Sequence, residues 1–308
     1  LPQHFDSEEL LMGNGIIQMG TFAGILIGQI LGAIIVFIKI WEIEIITIFL
    51  IFISILGLIF SKFIPISKPN CPSLRINPNP LSEIIHNLKY VYKNKKIFIA
   101  MLANSWFWFF GAIYLTQFPA FTKKILNGEP EIFSVLLSSF SLGIGVGAVL
   151  CQKISTVKTQ NGLIFLGSLG LTIFGIDLFF ASSYDFYSEK NNISMFLNPW
   201  GLRIAIDCIL LGISAGLYIV PLIFLIQTQS DSEYLSRIIG GMNILNSFFM
   251  VLAAIVAIII LKFGFFIHQI FLFTSILNFV LLLILSVISR DYPKAFINWF
   301  RYHFFMNK

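Results

Sequence analysis

The chain has 308 residues, of which 57% are hydrophobic and only 11% charged, and 34 of them are phenylalanine. A soluble domain has no use for so much apolar surface, so the composition excludes one. The net charge of +5 does not imply nucleic acid, because the basic residues are spread between the apolar stretches rather than gathered in a patch.

A hydrocarbon core of about 30 Å calls for roughly 20 helical residues. Eight stretches meet that need, near residues 11 to 38, 43 to 61, 97 to 119, 132 to 151, 162 to 181, 201 to 226, 238 to 261 and 265 to 289. The predicted class is an all-α polytopic membrane protein. The second stretch is free of charge only over 45 to 60, which places Glu42 and Glu44 at an interface.

In the first span Asn14, Gln18 and Thr21 share a face, and Gly20, Gly24, Gly28 and Gly32 recur every four residues. Amides in a membrane either bind a polar ligand or hold helices together, whereas small residues at that spacing let backbones approach. Residues 1 to 61 hold the first two spans. Residues 62 to 96 form a hydrophilic linker, opening with the Pro/Asn-rich ISKPNCPSLRINPNP. Within it Asn79 is predicted to cap a helix that has Pro80 at its first position. Leu81, Ile84, Ile85, Leu88 and Tyr92 then recur at helical spacing opposite Glu83, His86, Lys89 and Lys93, giving an amphipathic helix that either lies in the headgroup boundary or is a plain linker.

Residues 97 to 290 carry six spans. The third span of the chain has Asn104, Trp108 and Gly111 on one face and Trp106 and Gln117 on another, and one of these is expected to line a cavity. The fourth carries Gly143 and Gly147, expected to pack helices, and the fifth carries Asp177 near its outer end. In the sixth, Arg203, Asp207, Ser214, Tyr218 and Pro221 fall within about 60° of one another on a helical wheel. Intramembrane ionisable residues are functional candidates by default, so this stripe is assigned to a central cavity, with Arg203 and Asp207 spaced to pair across one turn. Two alternatives stay open: the pair merely anchors the helix end, or Asp177 shares the arginine. The seventh span groups Asn243, Asn246 and Ser247. Residues 291 to 308, with Trp299 and Arg301, suit an interfacial tail.

Sorting the 20 basic residues by alternate loops puts 14 on one side, 5 on the other and Arg203 within a span. By the positive-inside rule both ends of the chain are cytoplasmic. Cys71, Cys151 and Cys208 have no metal or redox spacing and are read as reduced. No signal peptide opens the chain. DSEEL at 6 to 10 and DSEYL at 231 to 235 each precede a span beginning with a Gly/Asn turn, making Asn14 and Asn243 counterparts in a six-span repeat. By that count four spans are expected before Leu1, as a further segment or a separate chain.

The stretches GNGIIQMGTFAGILIGQILG at 13 to 32, NSWFWFFGAIYLTQFP at 104 to 119, GLIFLGSLGLTIFGIDLFF at 162 to 180, GLYIVPLIFLIQ at 216 to 227 and SRIIGGMNILNSFFMV at 236 to 251 resemble the major facilitator superfamily. Within it they look like the bacterial lysophospholipid transporters, some of which are fused to acylglycerophosphoethanolamine acyltransferase and acyl-carrier-protein synthetase domains. The resemblance implies two six-helix bundles, with these eight spans as the fifth through twelfth. It also implies that the first and fourth spans meet across the bundle interface. The substrate it implies is a lysophospholipid such as lysophosphatidylethanolamine, moved across the bacterial inner membrane by alternating access. Gln18 departs from the family pattern, standing where a glutamate is frequent.

None of His4, His86, His268 or His303 is followed five positions later by aspartate, as the acyltransferase signature requires, and no P-loop or metal cluster is present in the sequence. The chain is therefore expected to be no enzyme and to need no cofactor, with membrane lipid, its substrate and an acyltransferase or acyl-carrier-protein synthetase as partners and no nucleic acid. Two other readings stand: a carrier of a soluble metabolite or drug on the same fold, coupled to protons through Asp207, and a truncated remnant that transports nothing. Abundant Ile, Phe, Asn and Lys point to an AT-rich bacterial genome.

Overall fold

The computed structural model describes residues 2–37, 42–66, 79–154, 160–183, 191–288 and 291–305. The basic residues Lys39, Lys68, Arg75, Lys158, Lys190, Arg290 and Lys308, along with Cys71, lie outside them. Ten α-helices are described: α1 Ser7–Phe37, α2 Glu42–Ser61, α3 Pro80–Lys93, α4 Lys95–Lys124, α5 Pro130–Ile154, α6 Gln160–Ser182, α7 Pro199–Gln229, α8 Leu235–Lys262, α9 Ile267–Ile288 and α10 Asp291–Phe305. All but α3 and α10 are long and apolar enough to cross a membrane, and these eight coincide with the eight predicted spans. Several run beyond their apolar cores. α4 starts at Lys95, inside the stretch read as linker, because Asn94 caps it by accepting from the Ile97 amide at 3.4 Å.

α7 is the hub of α4 to α9, packed against α5, α6 and α4. Its glycines explain how. Gly212 and Gly216 face Gly143 and Gly147 of α5, so each helix presents two small residues four apart. A Cβ on Gly216 would stand 2.7 Å from both the Ala148 nitrogen and the Ile144 oxygen, and one on Gly143 would collide with the Ile209 carbonyl. On the other side Gly167 of α6 admits Ser214 and Tyr218, with 2.7 Å from its missing Cβ to the Tyr218 nitrogen.

This corrects the predicted glycine seam. Gly143 and Gly147 meet α7 rather than α1, and nothing lies within 4 Å of where a Cβ would sit on Gly20, Gly24, Gly28 or Gly32. α1 does pack on α5, but through Gly15 against Ala148 and Met19 against Gly145, where a Cβ added to either glycine would stand 3.5 and 3.4 Å from its neighbour. The periodic glycines fall on another face of α1.

Two short helices cover one end of the bundle. Asn79 caps α3 as predicted, accepting from the Ser82 amide at 3.2 Å. α3 docks on the start of α8: Val91 is buried, the Tyr90 ring stacks on Tyr234 at 4.3 Å, and the Tyr90 hydroxyl donates to the Asp231 carboxylate at 2.5 Å. That hydrogen bond, with the charge of Asp231, pushes the Tyr90 hydroxyl up to about 12. α10 crosses the start of α6, where Gly162 meets the Ala295 backbone and Trp299 Nε1 donates to the Ile154 carbonyl at 3.2 Å. At the opposite end Asn191 bridges two loops, donating to the Asn127 and Leu126 carbonyls. Cys151 and Cys208 are free and buried.

Candidate functional site

The polar groups of the spans converge on α4, whose two faces serve different neighbours. One face meets α8 and α1. Asn246 of α8 accepts from Asn104 Nδ2 and Ser105 Oγ, both at 2.9 Å. With its amide turned over, its oxygen accepts from Trp108 Nε1 at 3.3 Å and its nitrogen donates to the Met242 carbonyl at 3.1 Å. Either orientation ties α4 to α8. Trp108 also stacks on Phe22 of α1 at 6.3 Å, and Phe107 meets the same ring edge-on at 6.2 Å.

Below that aromatic contact α1 carries a turn-by-turn stripe of Phe22, Gln18 and Asn14. Asn14 and Gln227 of α7 exchange amide hydrogen bonds at 2.7 and 3.1 Å, locking the first span to the hub. Gln18 is 8% exposed and its Oε1 has no hydrogen-bond partner among the described residues. A buried amide oxygen left unpaired is costly unless a donor reaches it. Thr21 points elsewhere, exposed and bonded to the Ile17 carbonyl of its own helix.

The other face of α4 meets α6, α7 and α9. Trp106 Nε1 donates to Asn278 Oδ1 at 2.8 Å, while Asn278 Nδ2 reaches the Ser168 carbonyl at 2.8 Å and Thr172 Oγ1 at 2.9 Å. Tyr218 donates to the Ala103 carbonyl at 3.1 Å, and Tyr114 lies 3.4 Å from Ser275. The sequence reading missed Asn278, Ser168, Thr172 and Gln227. The signal for the first was available, since Thr274, Ser275 and Asn278 fall on one face of an otherwise apolar helix.

The stripe of α7 does not line one cavity. Arg203 bonds Asp177 of α6 through Nε at 3.0 Å and through its second guanidinium nitrogen, with its cation over the Trp200 ring at 5.6 Å. Asp207 is therefore not the partner of Arg203. It is 2% exposed, within electrostatic reach of Asp177 and Arg203, and its Oδ2 has no hydrogen-bond partner among the described residues. Ser214 bonds the Leu210 carbonyl and fills the space left by Gly170, and Pro221 is buried inside the helix. Gln117 is half-buried and donates to the hydroxyl of its neighbour Thr116 at 3.4 Å. In α8 the predicted trio divides: Asn246 faces α4, while Asn243 and Ser247 are exposed.

An apolar groove of ≈520 Å³ lies between α1 and α5, lined by Met19, Leu26, Leu142 and Val146 among others. Eight helices able to span a membrane, two short helices capping one end and amides gathered between α1, α4, α7 and α8 make up a helical membrane bundle. Comparison with protein families matches residues 1–206 to the Major Facilitator Superfamily. The chain belongs to that superfamily. No curated protein and no solved structure matches it. As a member it is a multi-pass membrane transporter, and its six-helix unit α4 to α9 is joined to α1 through the Asn14–Gln227 and Phe22–Trp108 contacts.

Proposed function

We propose that this transporter carries lysophospholipids, lysophosphatidylethanolamine above all, from the outer to the inner leaflet of a bacterial cytoplasmic membrane. The observation that carries the reading is the unpaired, buried Gln18 oxygen one turn from the Phe22–Trp108 stack. An ethanolamine ammonium has donors for that oxygen and is attracted to the face of a tryptophan. The neutral amides suit a zwitterion, which brings no net charge. The groove between α1 and α5 begins on the same helix and offers aliphatic walls to the single acyl chain.

Exposed Asn243 and Ser247 in an apolar helix fit the same reading, because polar side chains at membrane depth face protein or a wet cavity rather than lipid. On this reading they lie on the side of α8 that faces the transport path. With both ends cytoplasmic, the lysolipid arrives where an acyltransferase would re-acylate it with fatty acid activated by an acyl-carrier-protein synthetase.

A second reading rests on the orphaned oxygen of buried Asp207, which suits proton-coupled movement of a soluble solute. Proteoliposomes separate the two. Translocation of labelled lysophosphatidylethanolamine that unrelated soluble solutes do not compete with supports the lipid reading. A proton flux driven by soluble solutes, abolished by Asp207→Asn and indifferent to lysolipid, supports the other.

A further inference from the structure

A second cavity, of ≈240 Å³, lies apart from the α1 seam, and no residue of α1 or α5 lines it. α8 and α9 both pack on α4 but barely touch each other, and the cavity fills the wedge between them at the end that holds α3 and α10. Its inner end is Trp106 and Asn278, and Leu102, Phe249, Leu281 and Leu285 form its sides. Its rim is Ile284 and Ile288, which are 45% and 62% exposed.

The polar atoms on its wall are already engaged. Trp106 Nε1 is bonded to Asn278, the Asn278 amide to Ser168 and Thr172, and the Tyr218 hydroxyl to Ala103. Water needs two to four polar partners to occupy a buried site, and the wall that this cavity exposes is almost wholly apolar. An unfilled void would forfeit dispersion contacts along its whole lining. The rim opens on apolar residues of a spanning helix, so the medium that reaches it is the hydrocarbon of the bilayer.

We propose that this wedge is a binding site for one acyl chain of a resident diacyl phospholipid, inserted sideways between α8 and α9 with its head group left outside. The volume accepts a length of single chain, and the apolar lining offers a charged head group nothing to replace its hydration. The chain keeps α8 and α9 apart over α4. This site is independent of the cargo, which the α1 seam is proposed to handle.

The test uses the full-length protein in vesicles of phosphatidylethanolamine and phosphatidylglycerol, doped with a diacyl phosphatidylethanolamine bearing a diazirine near the end of one chain. After irradiation, labelled residues are mapped by peptide mass spectrometry. Labelling is expected to concentrate on Leu102, Phe249, Leu281 and Leu285, several-fold above the level on α2, whose exposed residues report ordinary lipid contact. Filling the wedge with Leu281→Trp should lower cavity labelling about tenfold and leave α2 unchanged. The wild-type pattern alone decides the matter if that variant does not fold. Labelling of the wedge no higher than that of α2 would overturn the proposal. So would labelling by a diazirine lysophosphatidylethanolamine but not by the diacyl lipid, since the wedge would then be part of the cargo path.

Discussion

Arg203 of α7 holds Asp177 of α6 across the helix interface and leaves Asp207, one turn along its own helix, without it. The arginine thereby joins two helices at the end of the bundle opposite α3 and α10, and the nearby buried carboxylate stays in reserve.

Breaking this pair should be mild. The two side chains are 39% and 34% exposed, so solvent screens them and an ion pair of this kind is worth about 1 kcal/mol or less. Asp177→Asn is expected to lower the melting temperature in detergent by a few degrees, and the charge swap Asp177→Arg with Arg203→Asp should restore most of it. A swap no better than the single variant would show that the pairing itself does not matter.

The glycines separate more sharply. Gly212→Ala pushes a methyl into the Phe140 carbonyl and the Gly143 backbone, where nothing flexible can yield, and a cost of about 1–3 kcal/mol is expected. Gly24→Ala meets open space and should be neutral within about 0.5 kcal/mol. Thermal unfolding of the two variants side by side checks this, and equal losses would contradict the assignment of the close helix contact to α5 and α7.

Asn278→Leu strands the Trp106 indole N–H and releases Ser168 and Thr172. Each interhelical hydrogen bond inside a membrane is worth about 0.6 kcal/mol on average, so a loss of about 1–2 kcal/mol is expected. Asn243→Leu, on an exposed face, should cost far less.

The docking of α3 has a pH signature. Undocked, a tyrosine titrates near its ordinary value of 10, and docked against Asp231 the Tyr90 hydroxyl is held up at about 12. The folded value is raised, so the contribution of this contact is complete below pH 10 and disappears as pH rises through about 12. Tyrosinate absorbance of wild type minus Tyr90→Phe should show one group titrating near the upper value. A difference curve centred at 10 would mean that α3 does not rest on α8.

Much of the fold was legible because apolar length is a strong signal: each of the eight spans is set by the thickness of the hydrocarbon, and Asn79 announced its helix by its chemistry. Helix partners were harder. A four-residue glycine repeat says that a backbone approach is possible and not where, so Gly20 to Gly32 looked like a seam while Gly212 and Gly216, which lie in one, passed unnoticed. The site shows the same limit. Asn104, Trp108, Asn246, Asn14 and Gln18 were found because amides and indoles stand out against an apolar helix. Gln227, the partner of Asn14, and Asn278, the partner of Trp106, depend on which helices adjoin, as does the choice of Asp177 over Asp207 by Arg203, and helical periodicity within one span carries no information on its neighbour.

The most direct test of the proposed function is the rate at which the full-length protein, reconstituted in proteoliposomes, moves lysophosphatidylethanolamine between leaflets, compared with Gln18→Leu and Trp108→Leu. The account predicts clear wild-type translocation and at least a tenfold loss in each variant, with Gly24→Ala unaffected. Wild-type flux no greater than that of protein-free vesicles, or variants that carry the lipid as well as wild type, would contradict it.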